Sequence, residues 1–355
     1  MTQPWYRGTV ARFNQRDSGC LDWTTLTEPH APFAPDAEDA PSGDDAIEAV
    51  RSELRQIDPT GDMVARVLRD TIDQLLDGQH TGRYQWEKLR KTEKTHAGTL
   101  VEINLQKALN LRDGLSMDYE VAGHDVDCKF SQTFGGWEIP PEAWRDQHLC
   151  LVIWARDADA AWTAGLIRAS DAYLGAANRD LKRKLTLQGR NRIRWVWRRS
   201  MVLPENVLLV LDQSVVADIM SGPSGQVRIN RLFRAAQQHR IGRGVVATVA
   251  MKDDFMKRVR ANGGARTALK PEGIVILGEY AAHRDYAQRL GLPIPANGES
   301  VSVQLTRAQL ADARPYIELD GARWVVAEAG DRVEEAPLVP YSAGNPATLV
   351  STEPR

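Results

Sequence analysis

Met117-Asp118-Tyr119-Glu120-Val121-Ala122-Gly123-His124-Asp125-Val126-Asp127-Cys128-Lys129-Phe130-Ser131 is the stretch on which the fold turns. Two β-like runs, Tyr119 to Val121 and Val126 to Phe130, are separated by a turn. Side chains alternate along a strand, so Asp127 and Lys129 share one face and Cys128 points to the other. Asp118 stands at the edge of the first run, nine residues ahead of Asp127. Two carboxylates and an ammonium are thereby expected at one place, with the lysine in an apolar setting where an unpaired charge is costly.

Upstream of this stretch the pattern is helical. Ile47, Val50, Leu54 and Ile57 recur at helical spacing, and so do Val64, Val67, Leu68, Ile72, Leu75 and Leu76, with Gly78 as the expected C-cap. A third helix is predicted over 100–109, and Glu102 on it can reach the Asp118/Asp127 site. Downstream, Leu149 to Ala155 and Trp162 to Ile167 read as further strands. Helices followed by strands give an α/β chain with a central mixed sheet.

These residue types suit phosphodiester hydrolysis. Mg²⁺ takes oxygen ligands and keeps several waters. A carboxylate-held cation polarises a phosphoryl oxygen, and a lysine can meet the charge of the transition state. The catalytic candidates are Glu102, Asp118, Asp127 and Lys129. The metal-ligand candidates are Asp118, Asp127, Glu102 and Cys128, the residue between the paired Asp127 and Lys129. A D-x-K pair alone reads as a surface ion pair; the added Glu102, Asp118 and helix-strand-strand order give it weight.

The charge distribution points to nucleic acid. The net charge is only -2, yet the charges are segregated. Residues 36–58 are acidic, and 179–199 carry nine basic side chains against Asp180 alone, interleaved with Trp195 and Trp197. Such a run attracts a phosphate backbone, although a solvated face is the common alternative. Cys20, Cys128 and Cys150 lack CxxC spacing, which argues against a zinc or disulfide framework. No apolar h-region, membrane-length run or GxxxxGK[ST] loop is present, so a cytoplasmic chain with no membrane and no nucleotide cofactor is expected.

The length of 355 residues accommodates two domains. Four segments are expected: an acidic flexible arm over 1–45, a first domain over 46–200 whose basic linker is 179–199, a second domain over 201–335 and a loose tail over 336–355. In the second domain, residues 207–220 are predicted to contain an apolar helix and 227–238 an amphipathic one. A short basic helix over 252–260 follows, then a hairpin pairing 266–269 with 274–277. Short helices, an arginine-rich face and a basic hairpin tip suggest a winged helix-turn-helix. Its DNA-contact candidates are Arg228, Arg231, Lys252, Lys257, Arg258, Arg266 and Lys270, with Ser131 and Gln132 beside the catalytic strand.

Asp73-Gln74-Leu75-Leu76-Asp77-Gly78-Gln79, Thr81-Gly82-Arg83, Glu102, Asp118 and Asp127-Cys128-Lys129 together resemble the NaeI-type restriction endonucleases of the PD-(D/E)xK superfamily. Residues 242–278 (GRGVVATVAMKDDFMKRVRANGGARTALKPEGIVILG) are similar to that family's DNA-binding domain. The resemblance implies a homodimeric type II (type IIE) enzyme of a restriction-modification system. It implies a Mg²⁺-dependent cleavage domain and a winged-helix-like domain that binds a second copy of the duplex site and activates the first. Direct attack of water would leave 5′-phosphate products. A modification-dependent or repair nuclease on the same scaffold, and a non-cleaving DNA-binding protein, are the alternatives.

Overall fold

The structure is a computed structural model, and it describes residues 43–197, 202–309 and 311–341. Most of the acidic arm, the end of the tail, and Arg198 and Arg199 lie outside the described residues.

Among the described residues, four helices come first: α1 (Asp45–Ile57), α2 (Asp62–Leu76), the one-turn α3 (Gly78–Thr81) and α4 (Lys91–Leu109). Next come β1 (Arg112–Asp113), β2 (Tyr119–Val121), β3 (His124–Ser131), β4 (Glu138–Ile139), α5 (Pro141–Arg145), β5 (Leu149–Arg156) and β6 (Ala161–Arg168). β7 (Leu174–Ala177), β8 (Arg183–Leu185), α6 (Leu187–Arg190) and β9 (Arg194–Trp197) complete this part. The remainder holds α7 (Gln213–Met220), α8 (Gly225–Ala235), β10 (Arg240–Gly242), α9 (Arg243–Ala250), α10 (Ala265–Ala268) and β11 (Ile274–Leu277). It closes with α11 (Ala281–Arg289), β12 (Glu299–Arg307), β13 (Tyr316–Leu319) and β14 (Ala322–Val326).

The described chain divides into two compact units that are discontinuous in sequence. One comprises residues 43–61, 113–154 and 162–197; the other comprises 62–112, 155–161 and the described residues from 202 onward. A single cut near residue 200 therefore does not describe the packing: α2, α3 and α4 group with the C-terminal part, where α2 packs on α4 and α3 on α9. Gly78 shows how close the second contact is, since a Cβ there would stand 2.0 Å from Thr248 Oγ1.

The first unit is built on a mixed sheet in the order β1-β2-β3-β5-β6-β9. β2 and β3 are antiparallel, joined through Ala122 and Gly123, both at positive φ (53° and 75°). That geometry is the tight turn whose twist matches paired strands. β3 and β5 run parallel with Asp127 opposite Cys150. β5 and β6 are buried along nearly their whole length, which explains their unbroken apolar sequences. Helix α1 packs on β9. Its Asp44 cap accepts from the Ala46 and Ile47 amides, and its face Ile47, Val50 and Leu54 is buried. Arg51 and Arg55 donate to the Trp195 and Val196 carbonyls at 2.8 and 2.9 Å.

In the second unit, Ile229, Leu232 and Phe233 of α8 and Val245 and Val249 of α9 form one core, which Val216, Ile219, Leu269 and Ile274 extend. A five-stranded antiparallel sheet carries the other, with β10, β11 and β14 all on β12 and β13 on β14. The β13–β14 hairpin turns at Asp320-Gly321 as its sequence predicts, with φ of 51° and 71°.

Several expectations are corrected. The third helix is α4, starting at Lys91 rather than 100. Asp77, not Gly78, takes the left-handed conformation after α2 (φ 47°), and Gly78 opens α3. The apolar helix expected within 207–220 forms as α7, with a 3-10 turn, Val207–Leu209, ahead of it. The basic helix over 252–260 is a 3-10 turn, Phe255–Val259. The hairpin over 266–277 does not form. Ala265 and Leu269, four apart, are both fully buried, so that segment folds as one turn of α10, and β11 finds its ladder on β12. Chain past 335 is not all loose: Ala336 is buried and donates its amide to the Lys270 carbonyl at 2.9 Å.

Candidate active site

Asp118, Asp127 and Lys129 come together at the β2–β3 hairpin. The β2 ladder ends at Tyr119, paired with Val126. Asp118 extends it with its side chain: the Cys128 amide donates to Oδ2 at 2.6 Å. Lys129 Nζ donates to Asp127 Oδ1 at 2.5 Å and to the Cys128 carbonyl at 2.9 Å, and stands 3.8 Å from Asp118 Oδ2. The alternation of β3 thus delivers the shared face its sequence predicts.

Asp127 is 4 % exposed. Burial pushes its carboxyl up to about 6, although Lys129 opposes this and Asp118, a like charge, reinforces it. Burial also works against the Lys129 ammonium, but Asp127 and Asp118 outweigh it and hold that group above its ordinary value. The pair is therefore ionised near neutral pH. Its carboxylates carry more negative charge than one lysine offsets, and both are hard oxygen donors, so the set fits a divalent cation that keeps part of its water shell.

Cys150 was not anticipated. Its thiol, buried and opposite Asp127, donates to Asp127 Oδ2 at 3.6 Å. Burial raises it well above the usual thiol range, so it stays a proton donor. Sequence gave no sign of this, because a cysteine within LCLVIWAR reads as core. Cys128 is corrected as a thiol ligand. Its side chain is 4 % exposed on the opposite face, and burial pushes the thiol up to about 12 despite a hydrogen bond with Tyr119. Glu102 lies half-buried on α4 in the other compact unit.

The expected DNA contacts separate into two groups. Lys252 and Lys257 are exposed. The others bond within the chain. Arg228 donates to the Val249, Gly222 and Ala250 carbonyls, closing the end of α9. Arg231 reaches the Asp218 carbonyl and Ser221, Arg258 pairs with Asp254, and Lys270 pairs with Glu335 at 2.8 Å. Arg266 donates to the Ile276 carbonyl and faces the Tyr341 ring; with no hairpin there, neither it nor Lys270 is on a wing. Ser131 closes a turn with Thr133, while the buried Gln132 Nε2 has no hydrogen-bond partner among the described residues. Parts of the basic run are structural too: Arg194 pairs with Glu48 at 2.8 Å, and Arg183 with Asp171.

A comparison with known proteins bears on this geometry. The sequence profile described as "Restriction endonuclease NaeI" matches residues 48–335. The type II restriction enzyme NaeI of Lentzea aerocolonigenes is 51% identical over 303 residues, covering 84% of this chain and 95% of that protein. The match runs through the Asp118/Asp127/Lys129 hairpin and both compact units, and on it the chain belongs to the NaeI restriction endonuclease family.

Proposed function

We propose that the chain is a type II restriction endonuclease that hydrolyses both strands of a short duplex site, with Asp118, Asp127 and Lys129 at the reaction centre. The observation that carries this is the Lys129 ammonium bracketed by two carboxylates on adjacent strands, in a member of this family. Asp118 and Asp127 would hold a divalent cation, Mg²⁺ in our reading. When bound, the cation supplies Lewis-acid polarisation of the phosphoryl oxygen and a more acidic water. Lys129 meets the negative charge that develops on phosphorus and orients the attacking water. The Cys128 amide and the Cys150 thiol fix one oxygen each of Asp118 and Asp127, leaving the partner oxygens to the metal and to Lys129.

In the same reading the protein is a cytoplasmic homodimer. Its C-terminal part is a DNA-binding module that binds a second copy of the site, with Lys252 and Lys257 on phosphates. No helix among the described residues is long and apolar enough to cross a membrane. Digestion of unmodified plasmids with purified protein tests the proposal. Discrete fragments that need Mg²⁺, vanish with EDTA and are lost in Asp127→Ala are expected. Binding in Ca²⁺ without any cleavage in Mg²⁺ would refute it in favour of a modification-dependent enzyme or a silent DNA-binding protein.

A further inference from the structure

β7 and β8 form a hairpin within the first unit, completed on its other edge by β4. Its tip is exposed from Ala176 to Lys182 yet tightly built. The Asn178 side chain accepts from the Asp180 and Lys182 amides at 3.0 and 2.9 Å. The Asn178 amide donates to the Lys182 carbonyl at 2.8 Å. Trp144 Nε1 donates to the Leu181 carbonyl at 3.1 Å, and the Arg183 guanidinium lies over the Trp144 ring. Arg183, the basic residue nearest the strands, is occupied by this bracing, with bonds to the Leu174 and Gly175 carbonyls.

The tip itself presents Arg179, whose side chain is 93% exposed and lies 3.4 Å from the exposed Asp180 carboxylate, then Leu181, 49% exposed at φ 58°, and Lys182. A leucine is disfavoured in the left-handed region, where asparagine or glycine would sit readily. A braced tip that holds an apolar side chain outward between two cations is not explained by folding. β4 begins seven residues beyond the end of β3, so the hairpin's sheet starts within about 25 Å of the catalytic strand.

We propose that the hairpin Leu174–Leu185 is a groove-binding element for the cleaved duplex, with Arg179 and Lys182 on phosphates of the two strands and Leu181 against the groove wall. Charge complementarity selects DNA as the occupant, and apolar wedges flanked by cations are a known mode of groove contact. The proposal rests on the nuclease reading above.

The test is equilibrium binding of full-length protein, in Ca²⁺, to a short duplex carrying the mapped cleavage site, across a salt series. Arg179→Gln/Lys182→Gln should weaken binding and make the slope of log affinity against log salt shallower by about 1.8, at 0.9 per phosphate contact. Leu181→Asn, which suits its backbone and so preserves the hairpin, should weaken binding with the slope unchanged. A slope equal to wild type in the double variant overturns the proposal. So does an effect that tracks a change in oligomer mass without DNA, which would make the hairpin a contact between copies of the chain. If the wild-type protein binds no duplex at all, the nuclease reading itself fails, an outcome distinct from normal binding by every variant.

Discussion

Replacing Lys129 by alanine removes the cation shared by the buried Asp127 and the half-buried Asp118, and its consequence can be sized. At an effective dielectric near 20, a unit charge about 4 Å away contributes about 4 kcal/mol, and Lys129 stands 3.8 Å from Asp118 and closer still to Asp127. Desolvation of all three groups offsets much of this in the ground state. The transition state carries further charge on the phosphorus, and loss of one preorganised electrostatic group there costs about 10²–10³ in rate, roughly 2.7–4 kcal/mol. Folding should suffer less, because Asp127 can take up a proton when its partner is gone; burial already pushes it up to about 6. The assay is single-turnover cleavage of plasmid at saturating Mg²⁺, with binding to the same DNA measured in Ca²⁺ and a melting curve on each protein. We expect cleavage slowed by that factor or more, affinity nearly unchanged and a small shift in Tm. Equal loss of binding and cleavage would refute the role given to Lys129, and so would cleavage at the wild-type rate.

Three other perturbations probe the frame. Arg69 is buried between Asp157 and Asp73, so Asp157→Ala should destabilise the second unit by about 3 kcal/mol by removing one of the two carboxylates that neutralise a buried guanidinium; a Tm within one degree of wild type would contradict this. Burial and the neighbouring Arg266 hold His283 neutral, its pKa lowered to about 3, and its Nδ1 accepts from the Gly278 amide at 2.9 Å. Because the folded value lies below the unfolded one of 6.5, His283 costs nothing above pH 6.5. It draws stability down as pH falls from there towards 3, by up to about 1.4 kcal/mol per unit. His283→Gln, neutral throughout, should flatten urea-derived stability over that window, and an unchanged pH slope would sink the assignment. Gly78→Ala places a methyl 2.0 Å from Thr248 Oγ1 and should cost about 1–3 kcal/mol by overpacking, to be read from the urea midpoint; a neutral result would mean α3 and α9 separate freely.

What the sequence disclosed and what it hid follow from the range of the forces involved. The β2–β3 pair, β5 and β6 were legible because alternation and apolar runs are local signals, and the Asp127/Lys129 face followed from the two-residue period. The role of Cys150 was not, since it depends on which strand lies beside β3 and in which register. The wing was misread for a similar reason. Residues 265–269 are short enough to fit strand or helix, and the burial of Ala265 and Leu269 under α8 decided the matter. Arginines misled most: Arg228 and Arg266 looked solvent-facing by charge, whereas each closes backbone carbonyls left open by a neighbouring element. The grouping of α2 to α4 with the C-terminal part rests on contacts between residues far apart in sequence, which no periodicity reveals.

The two-residue turn at Ala122-Gly123 gives the centre an unusual sensitivity to chain length. Asp118 and Asp127 meet because the strands on either side of the turn are counted off from it, one rung at a time. Adding or removing a single residue there would invert the phase of β3, sending Asp127 and Lys129 into the apolar layer and turning Cys128 towards the substrate. Adding two would restore the phase but displace the rung. The proposed centre is therefore intolerant of change in length at this turn, so that substitutions, rather than insertions or deletions, are the route by which this segment can diverge.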